Sequence, residues 1–116
     1  ILESEVSRHS PKPFQNSFMT SALLIESDRG LLAEAINVDN TARVQTVREG
    51  ETLHPLLTQL KIATGYGGVI NTSFNLAGEP IVETPEDALR TFVASGIDTL
   101  SIGNFLVEKN RGEVDF

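Results

Sequence analysis

Gly67-Gly68-Val69-Ile70-Asn71-Thr72-Ser73-Phe74-Asn75 sets a short apolar run directly before a dense polar loop, and Leu76-Ala77-Gly78-Glu79-Pro80-Ile81-Val82 follows it. Gly67 to Ile70 reads as the beginning of a buried strand. Asn71, Thr72, Ser73 and Asn75 then crowd hydrogen-bonding side chains into one stretch. Polar residues that follow a buried strand reach the rim of a sheet, where α/β proteins place their ligand crevices. The same composition also suits a Ser/Asn-rich turn whose side chains satisfy their own backbone. Residue type leaves both readings open.

Outward from this stretch, two helices are legible. Leu53, Leu56, Leu57, Leu60 and Ala63 fall at helical spacing, Pro55 suits a first turn and Gly65 a stop, which predicts a helix over Pro55 to Thr64. Thr84 as N-cap, Pro85 after it, Asp87 three residues past the cap, a stripe of Ala88, Leu89, Phe92 and Val93, and Gly96 as a stop predict a second. Strands are expected over Met19 to Glu26, over Leu31 to Ile36 as the return of a hairpin across Asp28-Arg29-Gly30, and over Ala42 to Val47. Two more are expected over Ile97 to Ile102 and Asn104 to Glu108. This order implies an α+β (or α/β) domain with a mixed sheet and helices on at least one face.

The 116 residues suffice for one compact domain. The hydrophobic fraction of 40% and charged fraction of 22% are ordinary for a globular chain, and no apolar run approaches the ~18 residues that cross a bilayer. A soluble domain is expected, cytoplasmic by default. With no cysteine, a disulfide framework and thiolate metal sites are excluded. A net charge of −7 argues against a nucleic-acid or anionic-membrane surface. It leaves a small anionic ligand open, because screening over about 8 Å makes the nearest donors decisive.

The opening stretch Ser7-Arg8-His9-Ser10-Pro11-Lys12-Pro13 reads as an extended linker, and the chain as a fragment of a longer polypeptide. The organisation expected is a linker or remnant of an upstream domain over 1–17, a folded domain over 18–109 and a polar tail over 110–116.

Metal and nucleophile motifs are missing: there is no HExxH, no CxxC pair and no P-loop, and Ser73 lacks the surroundings of a nucleophile elbow. No metal ligands are assigned. His9 falls in the linker and His54 at a helix boundary, so neither reads as a base. Gly65-Tyr66-Gly67-Gly68 precedes a strand, whereas phosphate loops follow one. Glu86 suits the positive end of its helix, Glu83 flanks the cap, and Glu79 beside the polar loop keeps a ligand role open. Arg43 is the strongest charged candidate. Strand alternation places it opposite Ala42, Val44 and Thr46, where it requires a carboxylate such as Asp39 or an anionic ligand.

Three segments, Val38 to Val47, Asn71 to Asn75 with Gly78-Glu79-Pro80-Ile81-Val82, and Thr84-Pro85-Glu86-Asp87-Ala88, closely resemble the C-terminal region of the O-carbamoyltransferases of the NodU/CmcH type. The resemblance covers about Phe18 to Lys109. It implies a YrdC-like fold, here a twisted mixed sheet with flanking helices that is incomplete at its N-terminal side. It also implies a preceding actin-like ATPase-type domain that carries a metal and the acceptor site. With ATP, and the Mg²⁺ that accompanies it, such a C-terminal domain converts carbamoyl phosphate to carbamoyl-adenylate and pyrophosphate. The carbamoyl group then passes to a hydroxyl acceptor, a natural product or nodulation-factor-like molecule.

By this resemblance Arg43 would hold phosphate oxygens of carbamoyl phosphate or ATP. Ser73, Asn71 and Asn75, with Thr72 a weaker candidate, would donate to nucleotide phosphates or the carbamoyl group. Arg43 and Ser73 are the catalytic candidates, acting by electrostatic stabilisation rather than covalently. The sequence departs from the family's pattern at Asn40, where glycine is common, and at Ala77, where a basic residue is common. The family's basic segment would lie before Ile1. A degenerate YrdC-like binding or interface module and a threonylcarbamoyl-adenylate synthase-like domain are the rival readings.

Overall fold

The computed structural model describes residues 1–109; the expected polar tail over 110–116 lies outside them. Within these residues the order is a 3₁₀ turn Glu3–Glu5, α1 Val6–His9, β1 Ala22–Leu24, 3₁₀ turns over Arg29–Ala35, β2 Thr41–Arg43, α2 His54–Thr64, α3 Pro85–Ala94, β3 Thr99–Ile102 and β4 Phe105–Glu108. Helices and small antiparallel sheets make the α+β class that was expected, and the strands do not close into a barrel. The described chain forms two compact units that divide between Ile70 and Asn71.

In the first unit β1 pairs antiparallel with β2, in the register Leu23 opposite Ala42. The expected hairpin return over Leu31 to Ile36 is instead 3₁₀. Asp28 turns the chain through a left-handed conformation, the Leu31 amide donates to the Asp28 carbonyl at 3.1 Å, and Leu31, Leu32, Ala33 and Glu34 are helix formers without a β-branch. β1 also starts later than expected. Met19 sits at φ 56, a conformation no strand residue adopts, in a loop gathered by buried Asn16, whose Oδ1 accepts from the Thr20 amide and hydroxyl.

The opening residues, expected to be an extended linker, are packed. Ile1, Leu2 and Val6 are buried. The Leu2 amide donates to Gly67 O at 2.8 Å, the Glu3 amide to Val47 O at 2.9 Å and the Val47 amide to Ile1 O at 2.8 Å. Each buried apolar side chain contributes roughly 1.5–3 kcal/mol, an advantage that the composition of Ser7 to Pro13 does not reveal. Ile1 and Val6 join Leu23, Ile25, Leu32, Ala42 and Val44 in one cluster, with Phe14, Ile36 and Tyr66 against it. Leu2, Val47 and Leu57 form a second, against which Leu60 packs.

The end of α2 follows expectation: Gly65 at φ 85 caps it and donates to the Lys61 carbonyl. Its expected stripe is only partly used. Leu57 is fully buried, whereas Leu53 and Leu56 are exposed, because the helix meets the core along the line facing Leu2 and Val47. The expected strand at Gly67 to Ile70 does not form. Gly67 O is taken up by the Leu2 amide, and Val69 and Ile70 stand exposed.

In the second unit α3 is capped as expected, with Thr84 Oγ1 accepting from the Asp87 amide at 3.1 Å. It buries Ala88, Thr91 and Phe92 and leaves Leu89 and Val93 exposed, a rotation of the expected stripe. It ends at Ala94 with Ser95, whose hydroxyl donates to Phe92 O, as its cap, and Gly96 falls just beyond the end as expected. β3 and β4 form an antiparallel hairpin, Leu100 opposite Val107, that turns through Gly103 at φ 56.

Candidate functional site

Arg43 closes β2. Ala42 and Val44 on either side are buried, so the pleat turns Arg43 outward, and its side chain is exposed as the alternation requires. Among the described residues it forms no ion pair. Asp39, the carboxylate nearest in sequence, is engaged elsewhere: it accepts from the Thr41 hydroxyl at 2.6 Å and the Thr41 amide at 3.1 Å. Those hydrogen bonds hold its carboxyl below the usual range. Between them Asn40 adopts φ 66, and its Oδ1 accepts from Arg29 at 2.7 Å. Asparagine is the non-glycine residue that best tolerates this left-handed geometry, so the departure from glycine at this position leaves the turn before Arg43 intact.

The polar loop belongs to the second unit. Asn71, Thr72 and Ser73 are exposed and Asn75 is half-buried. Ser73 Oγ and Asn75 Oδ1 lie 2.6 Å apart, and Asn75 Nδ2 donates to the carbonyls of Leu76 at 2.9 Å and Glu79 at 3.1 Å. The Glu79 amide returns to Leu76 O and the Val82 amide to Phe74 O, each at 3.0 Å, with Gly78 at φ 80 making the turn. The structure thus brings Ser73, Asn75 and the backbone of Glu79 together. Arg43 is part of the first unit. Among the described residues no group of three or more His, Cys, Asp or Glu side chains could hold a metal ion.

A polar cluster in the first unit was missed by sequence reasoning. Glu5 is fully buried, with Lys61 Nζ at 2.6 Å and Arg8 at 3.0 Å from its carboxylate. Burial works to raise its pKa, but the hydrogen bonds and charges of Lys61 and Arg8 outweigh this, and the carboxyl lies below its ordinary value. Arg8 also donates to Gly65 O at 3.0 Å and lies 5.7 Å from the centre of the Tyr66 ring. His9, equally buried, has Nδ1 3.0 Å from Ser27 O and Nε2 2.8 Å from the Tyr66 hydroxyl. A carbonyl only accepts, so Nδ1 carries a proton, and in the neutral ring Nε2 accepts from the phenol. Tyr66 is pushed up to about 12 by burial and by the Glu5 charge. The available signal was spacing: Glu5, Arg8 and His9 lie three and four apart, on one face of a helical turn.

A family model described as "Carbamoyltransferase C-terminus" matches residues 1–109. An uncharacterized protein of Methanocaldococcus jannaschii is 40% identical over 112 residues, which cover 94% of this chain and 18% of that protein. The nodulation protein NolNO of Sinorhizobium fredii is 38% identical over 86 residues, 72% of this chain and 13% of the relative. The 3'-hydroxymethylcephem-O-carbamoyltransferase of Amycolatopsis lactamdurans is 30% identical over 101 residues, 85% and 19% respectively. The chain therefore spans less than a fifth of the length of these relatives.

Proposed function

The chain belongs to the carbamoyltransferase C-terminus family, and from that premise we propose that it is the C-terminal part of an ATP-dependent O-carbamoyltransferase that forms carbamoyl-adenylate. Water cleaves carbamoyl phosphate to carbamate and inorganic phosphate; a carbamate oxygen then attacks the α-phosphorus of ATP, the new bond joins that oxygen to phosphorus, and pyrophosphate leaves. A hydroxyl acceptor, held by a preceding domain, then takes the carbamoyl group and AMP departs. Mg²⁺ enters with ATP as part of the substrate.

Within this reading Arg43 takes phosphate oxygens in the first unit, and the Asn71-Thr72-Ser73 stretch supplies donors to nucleotide phosphates or the carbamoyl group in the second. The observation that carries it is the state of Arg43. An outward guanidinium flanked by buried Ala42 and Val44, with no ion pair among the described residues, keeps its planar fork of donors for an anion. A charge-assisted contact of this kind contributes about 1.5–3 kcal/mol. The similarity to the 3'-hydroxymethylcephem-O-carbamoyltransferase favours a hydroxyl-bearing small molecule as the acceptor.

The test is a two-dimensional NMR titration of the chain with ATP and then carbamoyl phosphate, repeated on Arg43→Ala. Saturable amide shifts at Arg43 and at Asn71 to Asn75, with the Arg43 shifts lost in the variant, are expected. A folded chain that shows no saturable shift at either place would overturn the assignment and leave an interface module as the function.

A further inference from the structure

We infer that Asn75 is a positioning residue that clamps the polar loop shut and thereby holds Ser73 in place, so that the group this loop offers a ligand is the Ser73 hydroxyl and not the Asn75 amide. The inference deepens the reading above and rests on it.

Hydrogen-bond capacity separates the two side chains. A carboxamide has two N–H donors. Both of Asn75's point at main-chain carbonyls, Leu76 O at 2.9 Å and Glu79 O at 3.1 Å. The amide orientation is dictated by these partners, since the reverse would set its oxygen against two acceptors. No donor is left for a phosphate unless the loop opens. Ser73 differs: it is exposed, and its single bond to Asn75 Oδ1, 2.6 Å long, can be exchanged by rotation about Cβ–Oγ. An arriving anion offers the hydroxyl a charge-assisted bond in place of a neutral one, so rotation toward the ligand is favoured. The rest of the loop does not need to move, because Glu79 N to Leu76 O and Val82 N to Phe74 O hold it.

The two residues therefore have separable signatures. In the ligand-free chain the Asn75 side-chain amide hydrogens should exchange slowly with solvent and should keep their shifts when ATP is added, while the Ser73 backbone amide moves. Ser73→Ala should weaken ATP binding roughly tenfold, the loss of one charge-assisted hydrogen bond. Asn75→Ala should weaken it in the wild-type background and have no further effect in Ser73→Ala, because it acts through that hydroxyl. An Asn75→Ala penalty that persists in the Ser73→Ala background, together with ATP-induced shifts of the Asn75 side-chain amide, would show direct ligand contact. That result would overturn the clamp while leaving the ATP site standing. No saturable shift anywhere in the folded chain would overturn both.

Discussion

The Tyr66 hydroxyl donates to Nε2 of His9 across 2.8 Å, joining residues 57 positions apart in sequence. The rings meet edge to face with centroids 5.7 Å apart, and His9 passes the network on through Nδ1 to Ser27 O. The bond ties α1 to the turn that follows α2, so the segment before Pro11 is held by polar contacts as well as by Ile1, Leu2 and Val6.

Alkaline pH acts on one chromophore. Tyr66 is the single tyrosine and there is no tryptophan, so phenolate absorbance reports this residue alone. Its midpoint should lie near 12 rather than 10.0, because burial and the Glu5 charge disfavour the phenolate. The folded chain then holds a proton that the unfolded chain releases, and stability should fall as pH rises from 10.0 toward about 12. A spectrophotometric titration that gives an ordinary midpoint in the folded chain would contradict the buried geometry.

Glu5 governs the acid side. Its side chain is 1% exposed, while those of Arg8 and Lys61 are 41% and 44% exposed. Cations left behind by Glu5→Ala can reach water, so the substitution should cost about 1–3 kcal/mol rather than the larger loss of a fully enclosed pair. A carboxyl lowered on folding stabilises above its unfolded value of 4.5 and loses that contribution as pH falls through the lower folded value. The stability difference between wild type and Glu5→Gln, from urea unfolding at several pH values, should shrink below 4.5. A difference that does not depend on pH would rule the pair out as its source.

Thr84 is the cap of α3. Thr84→Ala should lower the stability of the second unit by about 1 kcal/mol, and Thr84→Ser should restore most of it, since the oxygen that accepts from the Asp87 amide returns. Hydrogen exchange of the Asp87 amide checks this directly. Equal exchange in all three proteins would mean that the cap does not hold in solution.

Gly67 is constrained by a neighbour. A Cβ there would stand 2.4 Å from Leu2 Cδ1 and 3.3 Å from Leu57 O, with Leu2 packed between Val47 and Leu57. Gly67→Ala should cost about 1–3 kcal/mol. Gly30→Ala, where nothing lies within 4 Å and φ is not positive, should stay within about 0.5 kcal/mol. Equal thermal stability of the two variants would refute the close approach.

Local chemistry was legible where one residue's own preferences decide the outcome. Thr84 with Pro85 announced the start of α3, Gly65 the end of α2, and the alternation of Ala42, Arg43 and Val44 the outward turn of the arginine. Legibility failed where a side chain's own hydrogen bonds, which residue type does not announce, override the local apolar pattern. Met19 looks like a strand residue until Asn16 gathers the loop around it.

The candidate site divides along the same line. Arg43 and the Asn71 to Asn75 loop could be named from residue type, spacing and family resemblance, because a guanidinium on an alternating strand and a row of small polar side chains are local facts. Which donors remain was settled by short-range hydrogen bonds that composition does not specify: Asp39 turned to Thr41, leaving Arg43 without an ion pair among the described residues, and the Asn75 amide turned to Leu76 and Glu79. Tertiary structure decided that Ile1, Leu2, Glu5 and His9 belong to the core, through partners as far along the chain as Lys61 and Tyr66. Hydrogen-bond capacity and burial are properties of neighbours in space, and a linear pattern records only neighbours in sequence.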